Sequence, residues 1–271
     1  MSEDQENIEK AAQELDQATA LLITAGAGIG VDSGLPDFKG DDGFWKAYPA
    51  LHGYPFYEMA NPKWFENDPT RAWGFYGHRL NLYRKTIPHK GFEILYAWSK
   101  QIPTFVYTSN VDGQFQKAGF SEDQIMECHG SIHWLQHLNP YQHGDDIWSA
   151  ADTTIDIDES IIRAQQPLPT KDGQLVRPNI LMFSDGYWLG DRCDTQQVQF
   201  EKWLQSIDAS HLVVVEIGAG TSIPTVRNLS NHFKNAGATL IRINPRESFG
   251  ASIPFAKGAK EGLISIQEAR I

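Results

Sequence analysis

The chain has 271 residues, 41% of them hydrophobic, and a formal net charge of −11. That is enough apolar material for one large domain with a substantial insertion, while the acidic balance and the lack of any Lys/Arg run exclude nucleic acid as a partner. No segment has the uninterrupted apolar length that spans a bilayer, and the acidic start MSEDQENIEK has no signal-peptide core, so the expectation is a cytoplasmic protein without a membrane partner.

In chain order, residues 2–18 read as a helix with Ser2 as cap, Gln5 three places on, and Ile8, Ala12 and Leu15 on one face. β-rich runs follow at 20–25, 103–109, 125–130, 179–184, 211–218, 239–244 and 263–267, several of them apolar throughout and separated by helical stretches. This pattern predicts an α/β fold, a Rossmann-like doubly wound parallel sheet. Residues 46–100, aromatic and helix-like, and 131–176, polar and loop-rich, break the alternation and are expected to form a smaller inserted lobe. The core would then comprise 1–45, 101–130 and 177–271 of a single catalytic domain. Two cysteines, Cys128 and Cys193, are too few for a disulfide framework or a four-thiolate zinc site.

The first strand-like run ends in Gly26-Ala27-Gly28, within LLITAGAGIGVDSGLPDFKG. Glycines there leave backbone N–H groups unobstructed, and a helix starting at this point would aim its positive end at a phosphate, as in dinucleotide sites. The common G-x-G-x-x-G spacing fails, because Val31 occupies the third glycine position, so a standard hydride-transfer dehydrogenase is disfavoured. A tight turn without ligand is the alternative.

The continuation of this loop resembles the GAG…SGIPDFRG signature of the sirtuin family, NAD-dependent protein deacylases. Further matches follow in order: TSNVDGQFQKAG at 108–119, HGS at 129–131, RPNILMFSD at 177–185, GTS at 220–222 and RIN at 242–244. The resemblance implies NAD as cofactor, an acylated lysine of a protein as substrate, and acyl transfer to ADP-ribose with release of nicotinamide. His129 would be the base, a role that suits a neutral imidazole near pH 7. Asn110 would order the ribose and a water, and Asp112 would bind the nicotinamide carboxamide; both could instead cap a helix that starts nearby. Gly26, Ala27, Gly28, Asp37, Phe38 and Lys39 would form the cofactor loop, with Ser109 beside the ribose. Gly220, Thr221, Ser222 and Asn244 would hold the adenosine ribose, and Phe183 and Ser184 would border the peptide groove.

Departures from the family pattern fall at Gly30, where Ser is usual, at Lys39 in place of Arg, at Ser109 in place of Gln, and at Ser184-Asp185 in place of Gly-Glu. Residues 131–178 contain no cysteine, so no metal site is expected there. His133, His137, His143, Asp145 and Asp146 offer donors in principle, and a polar lobe packed by Trp134 and Trp148 is the alternative. Within WGFYGHRL, Tyr76 and Arg79 reproduce the Tyr-x-x-Arg pair with which one sirtuin class holds the carboxylate of succinyl, malonyl or glutaryl lysine. Residues three apart share a helix face, and a guanidinium offers that carboxylate a fork that acetyl cannot use. The expected activity is therefore protein-lysine deacylation, of deacetylase or desuccinylase type. ADP-ribosyl transfer, NAD hydrolysis and NAD binding without catalysis are the alternatives.

Overall fold

The computed structural model describes residues 3–37 and 40–270. In chain order the elements are α1 (Glu3–Gln17), β1 (Ala20–Ala25), a 3-10 turn (Ala27–Ser33), α2 (Gly40–Ala47), α3 (Phe56–Met59), α4 (Lys63–Asn67), α5 (Pro69–Lys85) and α6 (Lys90–Ser99). Next come β2 (Thr104–Thr108), α7 (Gln114–Lys117), β3 (Ile125–Glu127), β4 (Gly130–His137), α8 (Pro140–His143), β5 (Ile147–Ser149), β6 (Ile157–Asp158), β7 (Arg163–Ala164), β8 (Thr170–Lys171) and β9 (Gln174–Ile180). The chain closes with α9 (Asp191–Ser206), β10 (Leu212–Ile217), α10 (Thr225–Asn235), β11 (Thr239–Ile243), β12 (Ile253–Phe255) and α11 (Ala259–Ala269).

Six strands form one parallel sheet in the order β12-β11-β10-β1-β2-β3. Every residue of β1 and β10 is buried, as their largely apolar sequences require of strands covered on both faces, and Thr24 and Glu216 are buried with them. Alternation divides the side chains. Leu21, Ile23, Val213, Val215 and Ile241 pack beneath α1, α6 and α11, while Leu22, Val214, Leu240 and Phe105 pack beneath α9 and α10. Because β1 leads outward to β2 and β10 leads the other way to β11, the chain switches direction between β1 and β10, and a crevice opens beyond their carboxyl ends.

A second, antiparallel sheet, β5-β4-β9-β8, packs with α5 around its own core of Phe44, Phe65, Trp73, Phe75, Leu80, Ile132, Leu135 and Val176. This is the inserted lobe, with three revisions to the sequence reading. The run at 179–184 does not enter the parallel sheet; it is the end of β9, and the chain leaves strand geometry after Ile180. The run at 263–267 lies in α11, whose Ala259, Leu263 and Ile266 repeat at helical spacing, and the outer strand is instead the short Ile253–Phe255. Helix α6, expected in the lobe, packs Phe92, Leu95 and Trp98 into the core of the parallel sheet. The helix expected at 2–18 is α1; Ser2 lies outside the described residues.

Among the described residues no helix is long and apolar enough to cross a membrane.

Candidate active site

The loop after β1 packs on the loop after β10. A Cβ on Gly28 would lie 2.7 Å from Gly218 Cα, and one on Gly26 would lie 2.8 Å from Ala219 Cα, so both positions exclude a side chain. Gly28 N–H donates to Gly218 O (3.0 Å), Gly26 N–H to Ile217 O (3.0 Å), and Ile29 N–H to Gly26 O (3.2 Å). This corrects the expected arrangement. The amides of Gly26 and Gly28 clamp two strand ends together, and the segment that follows is a seven-residue 3-10 turn instead of an α-helix whose dipole could face a phosphate. A serine at position 30 would press its Cβ to 3.1 Å from the Leu35 side chain.

Beyond these loops runs a cavity of about 740 Å³, in the range of ligand pockets. Gly26, Ala27, Gly28, Asp37, Ser109, Asn110, Asp112, His129, Gly220, Thr221, Ser222, Asn244, Tyr76, Arg79 and Phe183 all line it. Phe38 and Lys39 lie outside the described residues. Ser184 does not reach the main cavity. Buried Arg177 forks onto Asp185 (2.6 and 2.9 Å), Asp185 also accepts from Met182 N–H and Tyr187 N–H, and this tie turns the chain so that Ser184 sits at φ 56 beside a separate, smaller cavity.

At the end of the cavity by β2 and β3, the residues are held by backbone. Asn110 Nδ2 donates to Gly26 O (3.1 Å), and its own N–H is taken by Thr108 Oγ1 (3.0 Å). His129 leaves β3 and is half-buried; its ring donates to the Ser109 carbonyl, and burial lowers its pKa below the usual 6.5, which favours the neutral base. Asp112 is 8% exposed, and burial raises its pKa to about 6 against the lowering effect of the Gln114 N–H bonded to Oδ1 and of nearby Arg79. Asp112 therefore both lines the cavity and helps start α7.

On α5, Tyr76, Arg79 and Tyr83 share one face and all line the cavity. Arg79 is 6% exposed, donates through Nε to Tyr83 Oη (3.0 Å), and has its guanidinium carbon 5.2–5.5 Å from the ring centres of Phe75, Tyr76 and Tyr83. Tyr83 was not singled out from sequence; its position four after Arg79 was the available signal. Phe183 forms an aromatic rim with Phe56 and Tyr57 (6.2 and 6.4 Å).

At the other end, Thr221 Oγ1 donates to Glu247 Oε1 (3.3 Å), while Asn244 ties the loops together: Nδ2 donates to Ala219 O (2.9 Å) and Oδ1 accepts from Arg246 N–H and Glu247 N–H (both 3.0 Å). Asp37 meets Arg246 across the mouth at 2.8 Å. Arg246 and Glu247, cavity-lining residues that the motifs did not indicate, owe their place to the turn that Asn244 fixes. His133 and His137 lie on strand β4, not on a helix, and His133 Nε2 is committed to the Asp112 carbonyl (3.0 Å). Among the described residues no three His, Cys, Asp or Glu side chains converge to hold a metal.

The model of the Sir2 family matches residues 26–224, most of the chain and every element of this cavity up to α10. The chain belongs to the Sir2 family. Among relatives, the NAD-dependent protein deacetylase of Saccharolobus solfataricus is 27% identical over 89% of this chain and 86% of its own length. The NAD-dependent protein deacylase of Leptospira interrogans is 27% identical over 92% of this chain and 91% of its own. The fold matches that of a Sir2 homologue solved in complex with NAD, with a TM-score of 0.75 at 24% identity, over 97% of this chain and 93% of the other. This Sir2 chain thus shares the fold of that homologue, with the crevice between the parallel sheet and the lobe.

Proposed function

We propose that this chain is an NAD-dependent protein-lysine deacylase that acts as a single catalytic unit. One observation carries the reading: a continuous cavity joins the glycine-clamped loops of β1 and β10 to His129, Asn110 and Asp112 at one end of the sheet and to Arg79 in the lobe. The donor set fits NAD. Thr221, Ser222 and Asn244 offer hydroxyl and amide groups to the adenosine ribose, and Asp112 offers an acceptor to a carboxamide. When bound, NAD would supply a ribose carbon that takes the acyl oxygen as nicotinamide leaves, and a water adding to the acyl carbon would then free the lysine amine and leave the acyl group on ADP-ribose. His129, neutral and oriented by the Ser109 carbonyl, takes the proton of a ribose hydroxyl at its other ring nitrogen. Asn110, fixed by Gly26 O, orients ribose and water, and Phe183 borders the lysine stem.

Arg79 supports a finer reading, a preference for acyl groups ending in a carboxylate. Its guanidinium lines a largely aromatic part of the cavity, bonded to Tyr83 and within electrostatic reach of Asp112, where a substrate carboxylate could be forked with help from the Tyr76 hydroxyl. Both cysteines are unpaired thiols, which fits a reducing, cytoplasmic setting.

The test is incubation with NAD and matched acetyl- and succinyl-lysine peptides, with products followed by mass. Free lysine peptide, nicotinamide and acyl-ADP-ribose are expected. ADP-ribosylated protein, or free ADP-ribose with the peptide intact, would replace this reading with the transferase or hydrolase alternative.

A further inference from the structure

Three charged side chains are buried where a doubly wound sheet ordinarily carries aliphatic ones. Glu216 on β10 has no exposed surface and pairs in register with Arg242 on β11, itself 2% exposed. Arg242 Nε and Nη2 reach the two Glu216 oxygens at 2.7 and 3.0 Å. Arg227, from α10, brings Nε to 3.1 Å from the same carboxylate, off the hydrogen-bond axis, so this contact is coulombic. Two guanidiniums thus share one carboxylate in the interior. A cluster of this kind is seldom more stable than aliphatic residues of equal volume, so its use has to be sought in what its remaining N–H groups do.

Three of those groups go to loop carbonyls, and Arg242 Nη2 also donates to the Asn231 side-chain oxygen on α10 (2.8 Å). Arg227 donates through Nη2 to Ala219 O (2.7 Å) and through Nη1 to Glu247 O (2.9 Å), while Arg242 Nη1 donates to Phe249 O (2.6 Å). Ala219 opens the loop after β10; Glu247 and Phe249 lie in the loop after β11. These two loops carry Thr221, Ser222, Asn244 and Glu247 along the cavity. Strands β11 and β3 stand four positions apart in the sheet, about 19 Å at the usual spacing, so these loops serve the end of the cavity remote from His129. Arg227 does not itself line the cavity.

We propose that Arg227, anchored on Glu216, is a positioning residue for the adenosine half of NAD, because it sets the separation of the two loops that grip the ribose. The inference rests on the NAD reading above. The carboxylate holds the guanidinium in one orientation, and its two Nη groups then fix one carbonyl in each loop, a span no neutral side chain of that length can bridge with two donors. Asn244 reinforces the same joint at Ala219 O.

The test is titration of the full-length protein with ADP-ribose and, separately, with nicotinamide, alongside steady-state kinetics. Arg227→Met should weaken ADP-ribose binding and raise KM for NAD about tenfold, the worth of one lost charge-assisted hydrogen bond, with kcat within about twofold and nicotinamide binding unchanged. Arg227→Lys, able to reach one carbonyl, should restore part of the loss. The triple variant E216V/R227M/R242I leaves no charge unpaired, so it should keep the wild-type melting temperature or exceed it and still show the tenfold loss. Wild-type ADP-ribose affinity in the folded triple variant, or a loss shared equally by nicotinamide and kcat, would overturn the proposal. If the wild-type protein binds no ADP-ribose, the NAD reading itself fails and this inference with it.

Discussion

Replacing Asp112 by Asn should stabilise the fold at neutral pH while it impairs the reaction. Asp112 is 8% exposed, and burial raises its pKa from 3.8 to about 6. Across that interval the folded state holds a proton that the unfolded chain has already released, so stability falls as pH rises from about 4 to about 6 and the full penalty is present above that. A shift of about two units corresponds to about 3 kcal/mol. Asparagine carries no charge to desolvate, keeps an Oδ1 acceptor for Gln114 N–H at the position now 3.0 Å away, and is close in volume. Urea denaturation of both proteins at pH 4, 6 and 8 would read the effect: near equality at pH 4, and a midpoint favouring Asp112→Asn by up to about 3 kcal/mol at pH 8. Nicotinamide inhibition of the wild type should weaken below pH 6 as the carboxylate is lost. A variant equally or less stable than wild type at every pH would refute the argument, because it would mean that Arg79 and the Gln114 amide fully compensate the buried charge.

His129→Ala should lower the deacylation rate by about two to four decades and leave ADP-ribose affinity intact, because the imidazole serves as base and touches none of the adenosine-binding loops; retained deacylation would exclude it as the base. Arg79→Met should cost one to two decades in kcat/KM on a succinyl-lysine peptide, given roughly 1.5–3 kcal/mol for a charge-assisted bond, and leave the acetyl peptide nearly unaffected; equal losses on both peptides would assign Arg79 to the fold. Gly28→Ala should destabilise the protein by roughly 1–3 kcal/mol in thermal or urea unfolding, since its Cβ would sit 2.7 Å from Gly218 Cα. Protein purified without added metal should carry no stoichiometric zinc and should melt at the same temperature with chelator, whereas one equivalent of zinc would point to the histidines of β4 and α8.

The sequence by itself determined the α/β class, because strands buried on both faces are written as predominantly apolar runs, and 20–25, 211–218 and 239–244 are such runs, broken internally only by Thr24 in the first and by Glu216 and Arg242 in the other two. It also marked residues that line the cavity at strand ends, His129, Asn110, Asp112, Thr221 and Asn244, since the motifs are short and lie where the parallel strands deliver them. What only the tertiary structure decided depended on partners far along the chain. Residues 263–267 read as a strand because β-branched side chains cluster there, yet burial of Leu263 and Ile266 beneath the sheet is satisfied at helical spacing. Gly26 and Gly28 looked like a phosphate cradle, and only the closeness of Gly218 and Ala219, some 190 residues on, makes them a strand-to-strand clamp. Ser184 left the cavity because of the buried Arg177–Asp185 pair, and Arg227, Glu216 and Arg242 converge through a sheet register that no local pattern encodes. Local preference fixes which element a segment forms; long-range contact fixes which atoms of it face the cavity.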